Sequence, residues 1–300
     1  MAVNNSIESQ IGNTPIVRLD EESYINANLY IKLEGNNLAG SVKDRPALFM
    51  LKKAVEKNDN FGKIILTASS GSLATSMAVL GAIFKRKIHV VTTQKLTKEK
   101  LDFIKLFGAK ITSHGKFTME AVQYCRDNIL KKYSSDYIFI DQLHDWDATV
   151  AHYETTGREI YRDIPSVKSV FFSLGSGATL YGVAKYLKER NPQIKIFAVT
   201  SSRGTLLPGT GSFNDGDYKT PFILKGYEDR LFDFTEEITH EDAMKGVESL
   251  RKQGIFAGPQ SGGVYSAMVA ACKTYALEGD VLMISGDTGW KNMVSLSALK

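Results

Sequence analysis

Short apolar runs suited to strands alternate with amphipathic segments at helical spacing along almost the whole chain, and this alternation constrains the fold most. Leu29–Leu33 reads as a strand. Ala47–Val55 carries apolar residues at helical spacing behind Pro46, which sits in a first turn where a missing N–H costs nothing. The pattern continues with strand Ile64–Leu66, helix Ala74–Phe84, strand Ile88–Val91 and helix Lys98–Leu106, which Gly108 stops. Strand Lys110–Thr112, helix Met119–Lys132 and strand Tyr137–Ile140 complete this run. After Asp147 come helix Thr149–Tyr161, strand Ser169–Leu174, helix Leu180–Glu189 and strand Ile194–Val199. Two helices, Glu241–Gln253 and Val264–Ala276, and strand Val281–Ile284 follow. Such alternation predicts an α/β protein whose parallel sheets are covered on both faces. Ser201–Lys225 breaks the pattern: rich in Gly, Pro, Asn and Asp and without a period, it reads as a long surface loop.

A chain of 300 residues favours two domains sharing a cleft. The net charge of +4, from 37 basic and 33 acidic residues without a long basic run, gives no basis for nucleic-acid binding. The longest apolar stretch, near Met77–Phe84, is far short of a membrane span, and the N-terminal residues lack a signal-peptide pattern. Only Cys125 and Cys272 are present, which predicts buried free thiols and a cytoplasmic protein rather than a disulfide framework. His89, His114, His144, His152 and His240 show no metal-ligand spacing, so no metal is expected and solvated or capping roles are predicted for them.

Four turns that lead into helices can carry chemistry. Gly175-Ser176-Gly177-Ala178-Thr179 follows an apolar strand, so successive N–H groups at the start of a helix can form an anion pocket suited to a phosphate. A plain strand-to-helix turn is the simpler alternative. A dinucleotide turn is disfavoured, because the third glycine is displaced to Gly182 and position 199 is Val rather than an acid. Lys43 lies in Gly40-Ser41-Val42-Lys43-Asp44-Arg45-Pro46, just before an apolar helix. With a phosphate pocket in the chain and no metal cluster, its amine is a candidate for Schiff-base chemistry with an aldehyde cofactor, rather than one more solvated charge. Ser69, Ser70, Gly71 and Ser72 join a strand to a helix, where hydroxyls and amides grip a carboxylate or simply cap the helix. Phe256–Gly263 is the fourth such lead-in.

These residues resemble the cysteine synthase family: O-acetylserine sulfhydrylases, the B type above all, with cystathionine β-synthase as a relative. Ile11-Gly12-Asn13-Thr14-Pro15 is similar to the family's opening motif, and Lys32–Asn37 running into Gly40–Arg45 is similar to its pyridoxal-phosphate lysine motif. Gln142 followed by His152–Gly157, the turn Gly175–Thr179, and Gly254–Gly258 before a helix complete the likeness over nearly the whole chain. The resemblance implies a tryptophan synthase β-subunit-like fold (fold type II), with two three-layer α/β domains, pyridoxal 5'-phosphate in the cleft between them, and a homodimer. The smaller domain would take residues 1–10 and 37–147, the larger 11–36 and 148–300. Lys43 would hold the cofactor covalently and remove the Cα proton. Gly175, Ser176, Gly177, Ala178 and Thr179 would hold the phosphate, and Ser69, Ser70, Gly71 and Ser72, with Gln142, the amino-acid carboxylate.

The sequence departs from the family at two places. Where the family has an Asn that bonds the cofactor's ring oxygen, this chain has Ser72, followed by Leu73 and Ala74. Where the family has a serine at the pyridine nitrogen, it has Gln260, whose amide would donate to an unprotonated nitrogen and favour elimination chemistry. The implied activity is replacement or elimination at the β-carbon of cysteine or an activated serine, with sulfide, a thiol or water as second partner. A cysteine-degrading, hydrogen sulfide-releasing lyase is one alternative, with Asp229, Asp233 and Asp287 as candidate bases near Cβ. A non-catalytic relative of the same fold is another, and a Rossmann-type oxidoreductase a third.

Overall fold

A computed structural model describes residues 6–20, 25–57, 62–94 and 96–297. Strands β1 (Ile16–Arg18) and β2 (Ala27–Leu33) come first. Then α1 (Asp44–Lys57), β3 (Ile64–Ala68), α2 (Ser72–Ile83), β4 (Ile88–Thr92), α3 (Lys98–Leu106), β5 (Lys110–Ser113), α4 (Thr118–Tyr124), α5 (Lys131–Tyr133) and β6 (Tyr137–Ile140) follow. The remainder runs α6 (Asp147–Ala151), α7 (Arg158–Asp163), β7 (Val167–Ser173), α8 (Ala178–Lys188), β8 (Lys195–Ser201), α9 (Pro221–Glu228), β9 (Phe234–Ile238), α10 (His240–Lys252), α11 (Pro259–Thr274), β10 (Gly279–Ser285) and α12 (Met293–Leu296). Each of the two helices predicted over 119–132 and 149–161 carries a wider π turn, Cys125–Leu130 and His152–Gly157. Insertions of this kind are frequent at functional sites.

The chain forms two compact units, Met1–Ile11 with Lys43–Ala148, and Gly12–Val42 with Thr149–Lys300. Residues 37–42 therefore group with the second. In the first unit a four-stranded sheet has the order β5-β4-β3-β6, every pair parallel. β4 is buried at each position, which requires cover on both faces and explains why Ile88-His89-Val90-Val91 shows no polar alternation. α2 is buried from Leu73 to Gly81, so an apolar surface all round replaces the usual single stripe. Leu66, Ala68 and Val91 pack with Ala121, Val122, Cys125 and Ile129.

The second unit holds a six-stranded sheet in the order β1-β2-β10-β7-β8-β9. It departs from the all-parallel expectation at one edge, where β1 runs antiparallel to β2 with Ile16 opposite Lys32. Three residues are too few to show a period. The other edge, β9, alternates half-buried and exposed positions, as an edge strand with one solvated face does. Phe171, Phe197 and Phe234 on adjacent strands stack with ring centroids 4.1 and 4.6 Å apart, and α11 packs on this side through Val264, Met268 and Ala271.

The stretch read as a surface loop, Ser201–Lys225, is exposed at many positions but also sends residues into the interior. Leu207, Thr210, Ser212, Thr220, Phe222 and Ile223 are buried, and α9 starts within it, capped by the Thr220 hydroxyl with Pro221 in the first turn. Backbone bonds from Gly211 N to Leu174 O (2.8 Å) and from Ser201 N to Gly211 O (2.9 Å) lay this segment across the carboxyl ends of β7 and β8. In open parallel sheets the carboxyl ends are where ligands bind.

Candidate active site

In the first unit the candidate residues gather at the carboxyl end of β3. Lys43 immediately precedes α1, and the first residue of that helix, Asp44, is fully buried. The Ser76 hydroxyl on α2 bridges the Asp44 carboxylate at 2.5 Å and the Ser72 carbonyl at 2.9 Å, which fixes the start of α1 against the first turn of α2. Loss of hydration lowers the Lys43 ammonium from 10.5 to about 8. Such a lowering raises the neutral fraction of this half-buried amine at pH 7 above that of a hydrated lysine. A neutral amine is the form that attacks an aldehyde.

The turn between β3 and α2 is built on its own hydroxyls. Ser69 Oγ accepts from the backbone N–H of Gly71 (3.3 Å) and of Ala74 (3.2 Å), and Ser70 Oγ accepts from the Thr118 hydroxyl at 3.0 Å. Gln142 donates one amide hydrogen to the Ala68 carbonyl at 2.9 Å, placing its side chain beside the same strand end. Lys43, Ser69, Ser70, Gly71, Ser72 and Gln142 are thus brought together within this unit.

In the second unit the turn Gly175–Thr179 follows β7. Helix α8 begins at Ala178, with Gly177 as its N-cap at φ +85°, a left-handed conformation that favours glycine. No side chain caps this end, and the first backbone bond back to the cap is from Tyr181 N to Gly177 O. The amides ahead of it point outward with no intrahelical acceptor, which is the donor set a phosphate requires. A Cβ at Gly175 would come within 2.5 Å of the Gly209 carbonyl, and one at Gly177 within 2.6 Å of Ile223 on α9. The Thr220 hydroxyl donates to the Ser176 carbonyl at 2.6 Å, so α9 and its cap brace the turn.

Gln260, in the first turn of α11, is tied to the same Gly209 peptide. Its Nε2 donates to the Gly209 carbonyl (2.9 Å) and to Ser173 Oγ (3.0 Å). The expectation that this amide's N–H is free to serve a ring nitrogen is therefore corrected: both of its hydrogens are engaged by the protein.

His152 corrects the expectation of a solvated or capping histidine. It is fully buried in the π turn, bonded through Nδ1 to Thr156 Oγ1 (2.9 Å) and through Nε2 to Thr179 Oγ1 (3.1 Å), so it orients the last residue of the Gly175–Thr179 turn. Its signal was its place in the Gln142–Gly157 stretch. His89 is likewise buried on β4, between Thr112 Oγ1 (2.9 Å) and the Tyr137 hydroxyl (3.3 Å). Desolvation, then Lys110, lowers its pKa to about 4.

The three carboxylates considered as bases are committed elsewhere. Asp229 accepts from the Tyr181 hydroxyl at 3.0 Å and pairs with Lys225. Asp233 pairs with Lys188 and accepts from Ile196 N, near the amino end of β8 and away from the turns. Asp287 accepts from Ser261 N (3.1 Å), Ser261 Oγ (2.6 Å) and Asn292 Nδ2 (3.2 Å), capping the start of α11. Cys125 and Cys272 are buried, and desolvation raises their thiols to about 12 and about 11, which makes both poor nucleophiles. Among the described residues no cluster of metal-ligating side chains is present, and no helix is long and apolar enough to cross a membrane.

Comparison with known proteins agrees with this geometry. The family described as "Pyridoxal-phosphate dependent enzyme" matches residues 7–286. Cysteine synthase B of Pseudomonas aeruginosa is 33% identical over 282 residues, covering 93% of this chain and 92% of that protein. A hydrogen sulfide-producing enzyme from Fusobacterium nucleatum superposes with a TM-score of 0.87 at 27% identity, covering 97% of this chain and 99% of that one. An O-acetylserine dependent cystathionine beta-synthase from Helicobacter pylori does so with a TM-score of 0.83 at 26% identity, covering 98% of each.

Proposed function

We propose that this chain, which belongs to the pyridoxal-phosphate dependent enzyme family, replaces or eliminates a substituent at the β-carbon of cysteine or an activated serine. The fold is that of the fold-type II enzymes in this family, a cysteine synthase-like α/β architecture. The observation that carries the reading is the uncapped amide turn at Gly175–Thr179, closed to any Cβ by Gly209 and Ile223, in a chain that also holds at position 43 a half-buried lysine whose pKa desolvation lowers.

When bound, pyridoxal phosphate supplies the electron sink that acidifies the Cα proton and loosens the β-substituent. The rest falls to this chain's own residues. Lys43 holds the cofactor covalently, takes the proton from Cα and later returns it. Gly175, Ser176, Gly177, Ala178 and Thr179 grip the phosphate, with Thr179 held by His152. Ser69, Ser70, Gly71 and Ser72, with Gln142, bind the substrate carboxylate. Ser72 also serves the ring oxygen, and Gln260 faces the ring nitrogen. The family resemblance further supports a cytoplasmic homodimer, which sedimentation of the loaded protein at the mass of two chains would check.

The second partner is sulfide, a thiol or water. The likeness to the sulfide-producing enzyme of Fusobacterium nucleatum and the Ser72-Leu73-Ala74 departure favour a second reading, release of sulfide from cysteine. Supplying cysteine alone and measuring sulfide and serine separates the two. Steady sulfide release without added thiol supports degradation. Turnover only with an activated serine plus sulfide supports synthesis. A protein that takes up no cofactor at Lys43 overturns both.

A further inference from the structure

Gln260 is 9% exposed, and the identity of its amide atoms is settled by its partners. The atom 2.9 Å from the Gly209 carbonyl must be Nε2, because a backbone carbonyl can only accept. The second Nε2 hydrogen goes to Ser173 Oγ at 3.0 Å. Ser173 itself spends its hydroxyl hydrogen on the Gly209 carbonyl (3.0 Å) or Thr210 Oγ1 (2.9 Å). The adjoining hydroxyl on α11, Ser261, is fully buried and donates to Asp287 Oδ1 at 2.6 Å. The nearby Ser285 hydroxyl donates to Ser261 Oγ at 2.9 Å. These side-chain donors beside Gln260 are thus committed, and its own remaining polar atom is an acceptor, Oε1. That atom takes no hydrogen bond from the described residues and lies over Gly286, where a Cβ would come within 2.8 Å of it.

The Gln260 side chain is nine-tenths buried, while its Oε1 is not among the fully enclosed unpartnered atoms, so this acceptor faces open space where a ligand's donor can meet it. Gly209 ties Gln260 to the phosphate turn, because the carbonyl that receives Nε2 is the one against which Gly175 packs. On the proposed function, a cofactor held by its phosphate in that turn would have its ring beside Gln260. Two lone pairs facing one another repel, so a carbonyl oxygen there demands an N–H. The positive end of α11 would oppose a cation, but the Asp287 carboxylate, bonded to Ser261 N at 3.1 Å, offsets that field at the first turn.

We infer that this protein binds its cofactor with the ring nitrogen protonated, the pyridinium N–H donating to Gln260 Oε1. The inference rests on the proposed function, in which Gln260 faces that nitrogen. It reverses the polarity of a serine at this position, which donates to a bare nitrogen, and it strengthens the electron sink available at Cα.

The test is nitrogen-15 NMR of the holoenzyme loaded with pyridoxal 5'-phosphate labelled at the ring nitrogen, at neutral pH. The wild type is expected to show a pyridinium resonance split by a directly bonded hydrogen, and Q260S a neutral-pyridine resonance with that splitting lost. Q260E, which keeps an acceptor, retains the pyridinium signal. A neutral-pyridine resonance in the wild type overturns the inference on its own, with no variant needed, and a pyridinium signal that persists in Q260S removes Gln260 from the account. Borohydride reduction followed by mass spectrometry is run on the same sample. Failure to find the label on Lys43 breaks the proposed function itself, and is distinguishable from a covalently loaded enzyme with the wrong protonation state.

Discussion

The two units carry ligand groups of different kinds. The first presents side chains: an amine at Lys43, hydroxyls at Ser69, Ser70 and Ser72, and an amide at Gln142. The second presents backbone, the N–H groups of Gly175–Thr179, in a geometry that Gly177 at φ +85° and the close approach of Gly209 impose. Side-chain groups change by one substitution without disturbing the fold. A backbone cradle changes only if its packing does. On the proposed assignments, the contrast leaves substrate preference open to sequence drift in the first unit and ties cofactor retention to the packing of the second.

The largest effect expected is that of Lys43→Ala, which removes the one group assigned both covalent and proton-transfer roles. Turnover should fall by ~10³-fold or more, with cofactor absent from the reduced and digested protein by mass spectrometry. Retention of activity would break the side-chain half of the comparison. Gly177→Val adds branched bulk where Ile223 stands 2.6 Å away and forces a left-handed backbone on a β-branched residue. Cofactor affinity, titrated on the apoprotein, should weaken by roughly 100-fold, about 2.7 kcal/mol. An unchanged affinity would show that backbone geometry does not set retention. A smaller effect concerns acid stability. The folded pKa of His89 lies near 4, below the ordinary 6.5, so between these values the unfolded chain binds a proton that the folded one refuses. Stability contributed at this site is present above pH 6.5 and is lost as pH falls, by about 2 kcal/mol between pH 6.5 and roughly pH 5. Denaturant unfolding of the wild type and His89→Gln across that interval should diverge, with the variant less pH-sensitive. Parallel curves would remove His89 from the account.

Much of this arrangement is legible in the amino-acid order, for physical reasons. Strands such as Ile88–Thr92 are buried on both faces and so announce themselves as apolar runs, and glycines at 175 and 177 mark a turn no other residue could make. What escaped reading depends on distant partners. β1 is three residues long, and β9 hides its alternation in Phe234-Thr235-Glu236-Glu237-Ile238. α9 does not stand out from the irregular stretch before it, because it is short and only Phe222, Ile223 and Gly226 are buried on it. The burial of His152 follows from Thr179, which lies 27 residues away, and the orientation of the Gln260 amide follows from Gly209, 51 residues earlier in the chain. No local pattern encodes either contact.

The Ser69 hydroxyl occupies the N–H groups of Gly71 and Ala74, the donors that an incoming carboxylate would seek. If this turn binds the substrate carboxylate as proposed, its own Ser69 oxygen holds those donors first. An arriving substrate exchanges one oxygen for another instead of filling a void, so apparent affinity measures the difference between two occupants. Ser69→Ala would free the Gly71 N–H for such an oxygen, while Ala74 N would keep the Gly71 carbonyl as its acceptor at 3.0 Å.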